Sequence, residues 1–218
     1  MKTDRQQEKS LNSGNEKGRP IVRKRERETV LFCVPTASMV YCFRVINMTG
    51  TERKKVVSTD PIRIVGDNYF GKWDKTRTAC RGIVIRENRL LLSYETVIGQ
   101  WMLPGGGLEA GEDERECCIR EVAEETGFRV RVSDCVLEID EYYEDFKWVN
   151  RYFFGEVTGE TGIRLTEREK EVGMEPRWLP LDEIIDIFSK HASYADTDEM
   201  RRGMYLREYT ALTRLLEK

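Results

Sequence analysis

Between Asp113 and Gly127 the sequence marks both ends of a single helix, and what that helix carries constrains the chain more than any other stretch. Asp113 is a good N-cap, and Glu116 three residues on completes a capping box, which gives two orphan backbone N–H groups an acceptor. Gly127 stands where a left-handed C′ residue ends a helix. Between them Cys118, Ile119, Val122 and Ala123 recur at helical spacing and read as the buried stripe. Glu121, Glu124 and Glu125 stand at i, i+3 and i+4, a spacing that sets three carboxylates side by side on one surface. The triple glycine Gly105-Gly106-Gly107 ahead of the helix reads as a loop.

Like charges at such spacings cost roughly 0.2–0.5 kcal/mol per pair even when exposed. Glu109, Glu112, Glu114 and Glu116 lie close by and add to the field. A divalent cation relieves that repulsion. Magnesium and manganese take hard oxygen ligands and bind through a few carboxylates plus substrate phosphates. Taken alone, a solvated acidic helix face accounts for the pattern as well.

The surrounding residues decide between the two. Gly106, five residues, Glu112, seven residues, then Arg120-Glu121-Val122-Ala123-Glu124-Glu125-Thr126-Gly127-Phe128 resembles the Nudix box position for position. Its seven fixed residues, at roughly one in fifteen each, recur by chance on the order of once in 10⁸ starting positions. The lead-in Trp101-Met102-Leu103-Pro104-Gly105-Gly106 is similar to the family's approach to the box. Trp178-Leu179-Pro180-Leu181-Asp182-Glu183-Ile184 is similar to its last strand running into a closing helix.

The resemblance spans about Arg77 to Ile187 and implies an α/β fold, a three-layer α/β/α sandwich around a mixed sheet. It implies that Glu121, Glu124 and Glu125 coordinate Mg2+, with Mn2+ as substitute, and that a Glu112–Arg120 pair orients the site. Arg120 is then counted with Glu121 and Glu124 in the catalytic set. Gly106 and Gly107 let the loop backbone come close to helix, metal and substrate. Phe128 stands where an aliphatic residue is more usual. The implied reaction is cleavage of the diphosphate linkage of a nucleoside diphosphate derivative or nucleotide, releasing a nucleoside monophosphate-type product. Metal ions neutralise the diphosphate and lower the pKa of a bound water, and a further carboxylate accepts the water's proton. That base is expected between Arg164 and Glu175, with Glu171 as first choice and Glu169 in reserve. The alternative is a nucleotide-sensing regulator of the same fold that binds without cleaving. Such a protein is expected to have lost metal ligands, and these are all present.

For the substrate, Tyr142 and Tyr143 are the expected stacking residues, because Trp148, Tyr152 and Phe154 alternate as core positions of a strand. In the final helix Tyr205, Tyr209, Leu212 and Leu216 form a stripe. Core packing is its expected use and a homodimer contact the alternative.

Composition bounds the remainder. Residues 1–47 hold ten Lys/Arg and five Asp/Glu, a net of +5; residues 48–218 hold 26 and 34, a net of −8. An acidic body argues against general nucleic-acid binding. Residues 1–47 read as a basic extension, disordered over 1–28, and residues 48–218 as the Nudix domain with C-terminal helices. Met48 is an alternative start. The six cysteines show no CxxC spacing and read as small buried apolar residues. No run of about 20 apolar residues exists, so no membrane span and a cytoplasmic location are expected.

Overall fold

The computed structural model describes residues 60–216 with their side chains and the backbone of residues 31–36 and 39–44. The disorder expected over 1–28 and the alternative start at Met48 lie outside the described residues. Leu31–Thr36 (β1) and Met39–Arg44 (β2) pair antiparallel as a small sheet of their own.

A strong local signal opens the main sheet. Lys75–Arg86 (β4) and Arg89–Glu95 (β5) are joined by Glu87 and Asn88, both at positive φ, 52° and 59°. Two consecutive residues of that kind make the turn whose twist suits a two-residue hairpin. Ile62–Val65 (β3) precedes this pair, and Gln100–Met102 (β6) and Gly105–Gly107 (β7) follow it. Beyond the helix Glu114–Thr126 (α1) come Phe128–Val132 (β8), Leu137–Tyr143 (β9) and Phe146–Glu160 (β10). A short helix, Glu167–Glu171 (α2), leads to Met174–Pro180 (β11). Helices Leu181–Ser189 (α3) and Glu199–Leu216 (α4) close the chain.

The sheet runs β11-β5-β4-β10-β9-β3, with β6 on β5, β7 on β4 and β8 on β10. It is mixed: β10 pairs parallel with β4 and β3 with β9, and the other pairs are antiparallel. Alternation sends residues of each strand to opposite faces. Cys80, Val84, Leu91 and Phe153 meet Cys117, Cys118 and Val122 of α1 on one face. Ile83, Leu90, Leu92, Ile139 and Tyr152 meet Ile184, Phe188, Tyr205 and Leu212 of α3 and α4 on the other. The α/β/α layering follows.

On α1 the buried apolar residues are Cys117, Cys118 and Val122, whereas Ile119 is exposed. This corrects the expected stripe by rotating it toward the sheet, where α1 packs closest over Gly82. A Cβ at residue 82 would lie 2.6 Å from a Val122 methyl. Phe128, just past the helix, packs edge-on against Trp178 at 5.8 Å. On α4 the stripe is spent on the core, with Tyr205 and Leu212 buried and Tyr209 and Leu216 packed against it. Asp198 caps the first turn of α4, its Oδ1 accepting from the Arg201 N–H at 2.9 Å.

A buried polar network ties α4 to the sheet. Arg207 donates to Glu141 of β9 (3.1 Å) and to Glu208 (2.8 Å). Asn150 of β10 donates to Glu141 (2.8 Å) and accepts from Arg81 of β4 (3.2 Å). Among the described residues no helix is long and apolar enough to cross a membrane.

Candidate active site

Both ends of α1 are fixed as its sequence dictates. Asp113 Oδ1 accepts from the N–H groups of Arg115 (2.8 Å) and Glu116 (2.9 Å), while Glu116 Oε2 accepts from Asp113 N–H at 2.9 Å. Gly127 turns left-handed at φ 73° and returns its N–H to the Ala123 carbonyl. The rotation of α1 is thereby set, and with it the direction of each glutamate.

The glycine run is not a loop but the short strand β7, paired with β4 through Ala79↔Gly107, Cys80↔Gly106 and Arg81↔Gly105. Side chains would forbid this approach. A Cβ at Gly105 would lie 2.2 Å from the Cys80 carbonyl oxygen, and one at Gly106 2.4 Å from Glu121 Oε1. Glu121 therefore lies directly against glycine backbone. The guanidinium of Arg77 lies just as close to Gly107.

Arg120 is the centre of the arrangement. Its Nε and Nη2 donate to the two oxygens of Glu112 at 3.0 and 2.7 Å, the bidentate geometry in which guanidinium and carboxylate bind most strongly. Nη1 donates to Glu121 Oε1 (2.8 Å) and Glu124 Oε2 (3.2 Å), and Nη2 also to the Gly107 carbonyl (3.1 Å). Hydrogen bonding to Arg120 holds the Glu112 carboxyl down to about 2. Burial pushes Glu121 up, and the guanidinium opposes that rise.

Glu125 departs from the expected shared surface. It is buried beneath β7, where its Oε2 accepts from Ser93 Oγ (2.5 Å) and Gly105 N–H (3.2 Å). Burial raises its carboxyl to about 8 despite both donors, a state set by desolvation of the charged form. The three glutamates thus differ: Glu121 and Glu124 border solvent, and Glu125 is enclosed.

The stretch Arg164 to Glu175 holds α2, with Thr166 and Glu169 as its capping box. Glu171 is exposed at the C-terminal end of α2. Glu169 is half-buried, and its charge adds to the upward shift that burial gives Glu121, Glu125 and Glu95. Glu171, the expected base, thus stands at an exposed position, and Glu169, the residue held in reserve two places earlier, is the half-buried one. Glu95 was not foreseen. It is fully buried, takes Gln100 Nε2 on Oε2 (3.0 Å), and meets Arg168 at 3.5 Å. Its signal in the sequence is that Ser93 and Glu95 break an otherwise apolar strand.

The aromatic expectation also changes. Tyr142 is buried, with Tyr69 (5.4 Å) and Trp73 (5.1 Å) against its ring and Arg63 over its face (4.8 Å). Tyr143 is wedged between Gly66 and Gly203, where an added Cβ would stand 2.2 and 2.4 Å from its ring and hydroxyl. The Tyr142 ring is covered, whereas Tyr143 is half-buried. Tyr152 is core, as alternation indicates, but Trp148 is half-exposed and stacks on Phe146 at 4.6 Å. Arg77 lies 5.7 Å from the Trp148 ring, which links this pair to Gly107.

Among the described residues no three His, Cys, Asp or Glu side chains already converge as a cation cage. Arg120 stands between Glu121 and Glu124 as the cation of the site. The donors fit a hard divalent ion all the same: carboxylate oxygens, two of them at the solvent border, beside backbone left open by Gly106.

Fold and site together place the chain in a known family. The NUDIX domain family matches residues 75–199, more than half of the chain, and the chain belongs to that family. Among relatives, it is 32% identical over 152 residues to a candidate mutator protein, MutT4, of Mycobacterium tuberculosis, covering 67% of this chain and 54% of that protein. It is 33% identical over 104 residues to a candidate 8-oxo-dGTP diphosphatase of Bacillus subtilis, covering 45% and 66%. The chain spans between about half and two thirds of the length of these curated relatives. A solved NUDIX hydrolase from Nitrosomonas europaea aligns with 22% identity and a TM-score of 0.45 over 63% of this chain and 90% of that one.

Proposed function

We propose that the protein hydrolyses the diphosphate linkage of a nucleoside diphosphate derivative or nucleotide, with Mg2+ as cofactor and Mn2+ as substitute. One observation carries the reading: Glu121, pressed against Gly106, and Glu124 share a single cation-bearing edge that Arg120 and Glu112 hold in place. Glu121, Glu124 and the remaining oxygen of Glu125 would hold the metal, which when bound supplies Lewis-acid activation of water and neutralises the diphosphate.

The chain's own residues supply the rest. Arg120 fixes the rotamers of Glu121 and Glu124, so little reorganisation accompanies the reaction. In this reading Glu169 takes the proton of the attacking water, as the half-buried carboxylate of α2 where Glu171 is exposed. On the nucleoside side, we assign stacking to the half-buried Phe146–Trp148 pair, which Arg77 links to Gly107. The mutator and 8-oxo-dGTP relatives are in keeping with a small nucleotide substrate.

The test is a Mg2+-dependent panel of nucleoside triphosphates, nucleoside diphosphate sugars and dinucleoside polyphosphates, read by phosphate or nucleoside monophosphate release. Glu169→Gln is expected to lower turnover at least about a hundredfold with substrate and metal saturating. Bound metal without cleavage of any panel member would leave a nucleotide-binding regulator as the better reading. Cleavage that survives Glu169→Gln within tenfold would remove Glu169 as the base.

A further inference from the structure

Two arginines beside the carboxylates remain unused by the proposed chemistry. The segment between β10 and α2 is strapped to the end of α1: Thr161 N–H donates to the Gly127 carbonyl (2.7 Å) and Arg164 N–H to the Glu124 carbonyl (2.8 Å). One turn further, the Thr166–Glu169 capping box fixes the start of α2. The backbone of this segment is therefore anchored at both ends, and its basic side chains are delivered to fixed places. Arg164 reaches Glu124 Oε1 at 3.4 Å and Arg168 reaches Glu95 Oε1 at 3.5 Å.

These contacts are loose. The Arg164 and Arg168 side chains are 72% and 69% exposed, and both distances exceed those of a charge-assisted hydrogen bond. A pair as exposed as Arg164–Glu124 contributes little to stability. Arg168 is the counter-charge of the fully buried Glu95, yet both guanidiniums are mostly exposed and present a planar fork that matches phosphate oxygens. The neighbouring Lys170 is instead turned onto Glu167 at 2.6 Å. The two guanidiniums thus stand at Glu124 and at Glu95, in a body that is otherwise net acidic.

We propose that Arg164 and Arg168 form a phosphate clamp that grips a phosphoryl group beyond the two joined by the cleaved bond, so that the site selects chains of three or more phosphates over diphosphate sugars. This rests on the hydrolytic reading of the same site and narrows its substrate class. On binding, each arginine exchanges a loose carboxylate contact for phosphate oxygens, and Glu124 is freed toward the metal edge.

The experiment is titration calorimetry of the whole chain with inorganic tripolyphosphate and with inorganic pyrophosphate, each with Mg2+ and with chelator, on wild type, R164A/R168A and R164K/R168K. In the alanine pair, tripolyphosphate binding is expected to weaken at least about tenfold and pyrophosphate binding less than about threefold. The lysine pair is expected to fall between, since it keeps the charge and loses the fork. Equal weakening for both anions would overturn the clamp and leave the arginines as neutralisers of Glu124 and Glu95. Unchanged binding of tripolyphosphate would overturn it too. Failure of the hydrolytic reading is distinguishable: tripolyphosphate would bind through the arginines while no panel member is cleaved. Triphosphates and diphosphate sugars cleaved alike by wild type and both variants would remove the clamp and leave hydrolysis standing.

Discussion

Replacing Arg120 by alanine isolates the electrostatics of the site. The change deletes a bidentate pair to Glu112, contacts to Glu121 and Glu124, and a bond to the Gly107 carbonyl. The side chains involved are 13–26% exposed, between the fully buried and fully exposed cases. Breaking a buried pair by removing one partner costs about 3–5 kcal/mol, and a surface pair is worth about 0–1. An intermediate loss of about 2–3 kcal/mol is therefore expected in the metal-free protein. Renewed repulsion among the glutamates adds only about 0.2–0.5 kcal/mol per pair. For a domain of this size the total corresponds to a fall in Tm on the order of 5–10 °C. Millimolar Mg2+ is expected to recover about half of that loss, because it neutralises the same carboxylates. The assay is thermal unfolding followed by circular dichroism in chelator and in Mg2+. A fall smaller than about 2 °C in chelator, or an equal fall in both conditions, would refute the role given to Arg120.

Two further outcomes follow from the same geometry. The Glu125 carboxyl is raised to about 8 by burial, above its ordinary value, so its neutral form stabilises the fold fully in acid; that contribution is lost as pH rises from about 4.5 through 8. Glu125→Gln should accordingly flatten the decline of Tm between pH 5 and 9 in metal-free protein; a parallel decline in wild type and variant would contradict it. Gly106→Ala should displace the Glu121 carboxylate, whose Oε1 would stand 2.4 Å from the new Cβ, and weaken Mn2+ binding by about 10–100-fold in a titration followed by electron paramagnetic resonance. Unchanged Mn2+ affinity would show that the close approach of Glu121 to β7 is dispensable.

What the sequence made legible is what local rules encode. The ends of α1 rest on Asp113, Glu116 and Gly127, each end read within four residues. The stripe of α4 likewise follows from periodicity, whereas the strand β11 running into α3 came from the resemblance. The Glu112–Arg120 pairing came from the resemblance rather than from any local rule. Longer-range geometry stayed hidden. Glu125 and Glu121 occupy neighbouring helical positions, and only the seating of β7 on β4 separates an enclosed carboxylate from an open one. Tyr142 and Trp148 are equally aromatic in sequence, and only packing by Tyr69, Trp73 and Arg63 removes the first from the surface. Glu169 and Glu171 differ by two places in a five-residue helix, too little for pattern to choose between them.

The seam beneath α1 is lined by three thiols, Cys80, Cys117 and Cys118, all shielded from solvent, while Cys135 is half-buried. A helix seated on sulfur carries its own clock. Each time it lifts from the sheet, a thiol-reactive reagent can leave a permanent mark, and the spacing of those marks records how often the metal edge comes apart. A cation that clasps Glu121 and Glu124 would slow that clock without touching a single cysteine.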